Sequence, residues 1–121
     1  MIVATDAPLL PHQLERLARR VPLGLARVGT TGSTYSGDLF VAFSTANAGA
    51  AQRRGVRNLT MLPNDAMNAL FAGVVQAVEE AVLNALVAAT PMTGRDGHHV
   101  PALPHERVRE LMRTRASPRS V

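Results

Sequence analysis

Ser36-Gly37-Asp38-Leu39-Phe40-Val41-Ala42-Phe43-Ser44-Thr45-Ala46-Asn47 passes from turn chemistry into a strand and out again. Leu39 to Phe43 is apolar at every position, which predicts an interior strand with both faces covered. Ser36 and Asp38, two residues apart on an extended segment, point to the same side, and Phe40 and Ala42 continue that side inward. A carboxylate at the mouth of a buried strand needs hydrogen-bond partners, because its ionised form is costly without them. A hydroxyl beside it makes a usable proton relay if a nucleophile lies opposite. The plainer alternative is that Ser36-Gly37-Asp38 is ordinary turn chemistry ending a loop.

Upstream, Leu23 to Val28 reads as a strand and Gly29 to Thr34 as a polar loop, so the two apolar runs suggest an antiparallel hairpin with a long tip. Pro22 is read as the stop of a preceding helix, Pro11 to about Arg20. There Leu14, Leu17, Ala18 and Val21 recur at helical spacing and leave Arg16, Arg19 and Arg20 to solvent. Ile2 to Thr5 is a further short strand, closed by Asp6 and Pro8. Its start right at the first residues raises the expectation that a segment upstream is missing.

Downstream, residues 46 to 57 form a loop carrying Arg53, Arg54 and Arg57, and Leu59 to Leu62 reads as a short strand. Pro63-Asn64-Asp65 is expected to cap a long helix running to about Thr90. The polar positions 68, 76, 80 and 84 of that helix fall at multiples of four and make one narrow stripe. The rest of its circumference is apolar, so it must be covered on several sides, by this chain's core or by a partner chain. Residues 91 to 101 are turn-rich, and His105 to about Thr114 forms a last helix. The domain is expected to span residues 1–114, followed by a disordered basic tail at 115–121.

The chain has 121 residues, no cysteine and a net charge of +4. It has no disulfide framework, no thiolate zinc site and no cysteine nucleophile. All thirteen basic residues are arginine, which removes Schiff-base and P-loop lysine chemistry. No signal peptide is visible, and Glu79 and Glu80 interrupt the longest apolar stretch, so a soluble, cytoplasmic protein with no membrane partner is expected. Asp96, His98, His99 and His105 lack the spacing of a metal site. The arginines are interspersed with acids and accompanied by few aromatics, which favours a solvated surface over nucleic-acid binding. These physical readings stop at a layered α/β domain, incomplete by itself.

Several long motifs add a resemblance. The run Val3-Ala4-Thr5-Asp6-Ala7-Pro8-Leu9-Leu10-Pro11-His12-Gln13 is similar to the segment after the self-cleavage point of the DmpA-type aminopeptidases. These are the L-aminopeptidase/D-esterases of peptidase family S58, which include β-peptidyl aminopeptidases. Ser36 to Asn47 resembles their central strand. Asn68 to Phe71 and Glu79 to Leu86 resemble their long helix, and Met92 to His98 the loop after it. The likeness runs in register from about residue 3 to 114. It implies an αββα sandwich of the N-terminal-nucleophile hydrolase kind, of which one chain holds only part. It also implies hydrolysis of a peptide, amide or ester next to a free amino terminus, with no cofactor. Ser36 and Asp38 fall on the family's second serine and acidic residue, which support the nucleophile.

The family's nucleophilic serine would stand two positions before Met1. The resemblance therefore implies a larger α-chain of the same precursor as partner, homo-oligomers of such pairs, and no catalysis by this chain alone. The rival reading is a non-enzymatic interaction protein that keeps the scaffold.

Overall fold

The computed structural model of the chain describes residues 1–116 and contains two compact units that meet within one helix, at Ala81 and Val82. Part of the expected tail at 115–121, from residue 117 on, lies outside the described residues. Helices and strands are mixed, as expected.

In the first unit, β1 (Ile2–Thr5) pairs with β2 (Val41–Ser44) in parallel, with Ile2 opposite Val41 and Thr5 opposite Ser44. Parallel strands cannot be joined by a tight turn and need a crossover. That crossover is α1 (Pro11–Ala18) followed by α2 (Val21–Arg27). The expected strand at Leu23–Val28, and with it the antiparallel hairpin, is therefore corrected to a helix. Pro22 sits in the first turn of α2, where its missing N–H costs nothing, so it opens a helix instead of only ending one. Val21, Gly24, Leu25 and Val28 share one helical face, and Val21 and Gly24 are buried.

Contact between α2 and α3 (Met67–Ala88) depends on Gly24. A Cβ there would come within 2.7 Å of the Val75 carbonyl oxygen and of the Val78 Cβ. The buried core is small: Leu9, Leu17, Val21, Met67, Val74 and Val78, with Val3, Phe40, Ala42 and Phe71 half-buried against it. Gln13 is wholly buried in the same region. Its side-chain oxygen accepts the Leu10 N–H at 3.1 Å, while its nitrogen donates to the Leu62 carbonyl at 2.8 Å and to Asn64 Oδ1 at 3.1 Å. A buried amide so satisfied ties the start of α1 to the chain entering α3.

Three other expectations change. The interior strand at Leu39–Phe43 is instead β2 at Val41–Ser44, and it is covered on one face only: Val41 and Phe43 are 55% and 46% exposed. Leu59–Leu62 forms no strand. Asn47 accepts the Thr60 N–H through Oδ1 at 2.9 Å and donates through Nδ2 to the Thr60 carbonyl at 3.1 Å, and the Leu62 N–H reaches the Pro8 carbonyl at 2.8 Å. A side-chain amide thus takes the place of a neighbouring strand. Nor does Pro63-Asn64-Asp65 cap α3 through a side chain. Residues Asn64–Ala66 make a short 3₁₀ turn, and the Asn64 oxygen is engaged by Gln13 and Arg16.

By length and composition, residues 64–88 could cross a membrane. Within that segment Met67, Val74 and Val78 are buried in the chain's own core, and Glu79 is paired to Arg27 at 2.6 Å. Most of the rest of the apolar circumference of α3 is exposed, so the cover expected for this helix is only partly supplied by the chain itself.

The second unit contains the last turns of α3, the hairpin β3 (Met92–Thr93) and β4 (His99–Val100), and α4 (His105–Ala116). The hairpin lies in the segment expected to be turn-rich. His105 Nε2 lies 3.0 Å from the Val87 carbonyl oxygen at the end of α3. Ion pairs Arg107–Glu110 and Arg109–Glu106 run along α4.

Gly24→Ala is expected to destabilise the chain by about 1–3 kcal/mol, the usual cost of overpacking a contact that cannot relax. Gly73→Ala, where a Cβ would meet nothing within 4 Å, is expected to be neutral or to stabilise by up to about 1 kcal/mol through helix propensity. Urea unfolding of both variants beside the parent chain checks the contrast. Equal effects from the two would contradict the packing of α2 on α3.

Candidate active site

Between α2 and β2 lies a segment without regular structure, and its local chemistry explains its course. α2 closes with the N–H groups of Val28 and Gly29 donating to the carbonyls of Leu25 and Ala26, both at 3.1 Å. Gly29 then adopts φ +98, the left-handed turn at a helix end that glycine makes without strain. Further on, the Ser36 N–H donates to the Ser33 carbonyl at 2.9 Å and closes a turn. The turn delivers Ser36 and Asp38 side by side, with Ser36 Oγ donating to Asp38 Oδ2 at 2.5 Å.

Both residues are exposed. Beyond them Phe40 and Ala42 turn inward onto the core, as the alternating pattern predicts. The head of β1 lies against the same segment. The Met1 ammonium donates to the Leu39 carbonyl at 2.7 Å, and the Val41 N–H donates to the Met1 carbonyl at 3.1 Å.

The direction of the Ser36 bond sets what the pair can do. A hydroxyl has one proton to give, and an ionised carboxylate can only accept. With that proton committed to Asp38, Ser36 offers lone pairs to anything that approaches. The pair is therefore built to hold a donor, a hydroxyl or an ammonium, next to a negative charge.

Other residues singled out in the sequence go elsewhere. His99 Nδ1 lies 3.1 Å from Thr93 Oγ1, and His105 bonds the Val87 carbonyl. Among the described residues, no three His, Asp or Glu side chains gather as metal ligands would. The α1 arginines are not simply solvated. Arg19 pairs with Glu15 at 2.5 Å, and the guanidinium groups of Arg16 and Arg20 lie 5.1 and 3.9 Å from the centre of the Phe71 ring. That stacking, and the burial of Gln13, join residues some fifty positions apart in the chain, for which one-dimensional periodicity carries no signal.

One further feature adjoins the site. Among the described residues β1 pairs only with β2, and a groove of about 330 Å³ runs between β1 and the small residues Ala69, Gly73, Ala77 and Ala81 of α3.

Comparison with known proteins gives consistent results. Peptidase family S58 matches residues 1–100. The β-peptidyl aminopeptidase BapA of Sphingosinicella microcystinivorans is 47% identical over 114 residues, which are 93% of this chain and 29% of that protein. The PH0078 protein of Pyrococcus horikoshii OT3 superposes with a TM-score of 0.88 at 44% identity, covering 95% of this chain and 33% of the other. The L-aminopeptidase D-Ala-esterase/amidase of Ochrobactrum anthropi superposes with a TM-score of 0.83 at 42% identity, over 94% of this chain and 33% of the other. That structure is described as a prototype for the serine aminopeptidases and a new variant among the Ntn hydrolase fold. The fold expected from the sequence is thus the fold shared with these relatives, over about a third of their length.

Proposed function

The chain belongs to peptidase family S58, and from that premise we propose that it is the nucleophile-supporting part of a serine aminopeptidase completed by a larger segment. The observation that carries the reading is the Ser36–Asp38 hydrogen bond at the head of the β1–β2 ladder. In a parallel ladder each step back along one strand is a step back along the other. Ile2 stands opposite Val41, so a residue two positions before Met1 would come level with Asp38. That is the position at which the family resemblance expects the catalytic serine.

The proposed reaction rests on those neighbours. The serine hydroxyl attacks the carbonyl of the first residue in a substrate with a free amino terminus. The serine's own α-amine, of a kind that titrates near 7.7–8.0 in general, takes the proton. The amide C–N or ester C–O bond breaks, the leaving group takes that proton, and water then hydrolyses the acyl-enzyme ester. Ser36 accepts a hydrogen bond from the nucleophile or its ammonium, and Asp38 holds Ser36 and offsets the positive charge.

A larger partner segment is supported by surfaces that the chain does not cover. Ile2, Val41 and Phe43 on the outer face of the sheet are 74%, 55% and 46% exposed, and the groove beside β1 is apolar. The chain spans 29% of the length of its curated relatives. Exposed Leu83, Leu86, Leu111 and Met112 support further association of such pairs. The reading invokes no cofactor, membrane or nucleic acid, and a cytoplasmic setting.

Release of p-nitroaniline from amino-acid p-nitroanilides is expected from this chain co-expressed with the larger segment, and not from the chain alone. Release by the chain alone would move the nucleophile into these residues, with Ser36 the first suspect. No release in either case would favour a scaffold that has lost its chemistry. In the complete assembly, Ser36→Ala and Asp38→Asn should each lower kcat by about a hundredfold or more, the usual scale for a lost proton-handling group. Both should co-elute with the parent assembly on gel filtration. Unchanged turnover in both would remove these residues from the site.

A further inference from the structure

Residues 47 to 60 form a compact surface loop of the kind whose two ends meet. The bonds between the Asn47 side chain and the Thr60 backbone close its base. Inside it, the Ala50 N–H donates to the Asn47 carbonyl and the Gln52 N–H to the Gly49 carbonyl, both at 3.1 Å. The Arg57 guanidinium donates to Gln52 Oε1 and, at 3.0 Å, to the Arg54 carbonyl. Gly55, at φ +84, lets the chain double back for that contact. Arg57 therefore holds the loop together. Arg53 and Arg54 are exposed and, among the described residues, have no carboxylate partner.

Their isolation sets them apart. Arg19, Arg27, Arg95, Arg107 and Arg109 each pair with a Glu or Asp, and Arg16 and Arg20 lie against the Phe71 ring. From Leu39 to Asn64 the sequence contains no Asp or Glu. Apolar surface adjoins the two free cations. Val56 is 94% exposed, and at the foot of the loop Ala50 and Leu59 join Leu9, Leu10 and Leu14 around a pocket of about 290 Å³. Leu9 is buried and Leu10 and Leu14 are half-buried, so this pocket has a packed apolar wall.

We propose that the loop and the pocket at its foot are a docking surface for an acidic peptide segment of a partner protein, with carboxylates on Arg53 and Arg54 and an apolar side chain in the pocket. Charge complementarity carries the assignment. Two neighbouring guanidinium groups with no internal counter-charge repel each other, and an approaching anion relieves that repulsion. The planar guanidinium fork matches a carboxylate in two parallel hydrogen bonds. The apolar neighbours decide the class of partner, because arginine around an apolar centre is the composition of a protein interface. Single-stranded nucleic acid is gripped by stacking on aromatic rings, and residues 46 to 62 contain none. The loop follows the C-terminal end of β2, whereas Ser36 and Asp38 precede its N-terminal end, so docking is separable from turnover.

The test is fluorescence anisotropy of the peptide Glu-Asp-Leu-Asp-Glu on the full chain, with fluorescein capping the peptide's amino terminus so that no free amine is offered to a peptidase. Saturable binding that weakens as salt rises is expected. Combining Arg53→Glu with Arg54→Glu should weaken it about tenfold, since each exposed pair contributes little alone and charge reversal adds repulsion. A peptide with alanine in place of leucine should bind the parent chain more weakly, and Ala50→Trp, which fills the pocket, should remove that difference. Should Ala50→Trp fail to fold, the comparison of the two peptides on the parent chain decides the role of the pocket. No saturable binding, or a double variant within about twofold of the parent, overturns the docking surface. Equal binding of the two peptides by the parent chain overturns the part given to the pocket. Tighter binding of an oligothymidylate than of the acidic peptide, lost in the same double variant, overturns the peptide in favour of nucleic acid.

Discussion

The parallel pairing of β1 with β2 is the constraint on which the rest of the first unit depends. Two parallel strands must be linked by a crossover, and here α1 and α2 supply it. Those helices need a surface to pack on, which the Val74–Val78 stripe of α3 supplies through Leu17, Val21 and Gly24. The same ladder draws the head of β1 against Leu39, one residue past Asp38. A one-residue slip of β1 would turn Val3 outward and Ile2 inward, and one of β2 would turn Ala42 outward and Phe43 inward. The half-buried packing of Val3 and Ala42 against the core opposes either slip. It thereby also holds the head of β1 against Leu39, next to Asp38.

How much of this could be read from the sequence depended on whether the signal was local. β1, α1, α3 and α4 were legible because each has its own period or breaker residues. Ser36 and Asp38 were legible as neighbours because two residues on an extended segment share a side. α2 was misread because Pro22 carries two meanings, a stop for the helix before it and a first-turn residue for the helix it opens. Tertiary packing at Gly24 decides between them. The apolar run at Leu39–Phe43 was overread as buried on both faces. Its composition reports the cover the strand is built for, and the chain provides cover for one face only. Leu59–Leu62 has strand-like residues, yet the Asn47 amide satisfies the Thr60 backbone, a substitution that no propensity anticipates.

Uncovered apolar surface ties the fold to the proposed function. An outer sheet face that shows Ile2, Val41 and Phe43, and a helix with one buried stripe, are stable arrangements for a chain that packs against more protein. The exposed face and the groove both lie along β1, the strand whose head bonds Leu39, one residue past Asp38.

The choice of a carboxylate at position 38 matters for the direction of the hydrogen bonds as much as for charge. An ionised carboxylate accepts and cannot donate, so the Ser36 proton has a single favourable orientation and the Ser36 lone pairs face outward. A side-chain amide at the same position could donate instead. Ser36 would then be free to turn its proton toward the nucleophile, opposing an ammonium there and favouring a hydroxyl only as acceptor. Asparagine at position 38 would keep the shape of the site and the turn that builds it, yet reverse the polarity of the relay. The two-residue spacing of Ser36 and Asp38 is thus enough to position the pair, while the acid–base character of the second residue decides which way the proton can move.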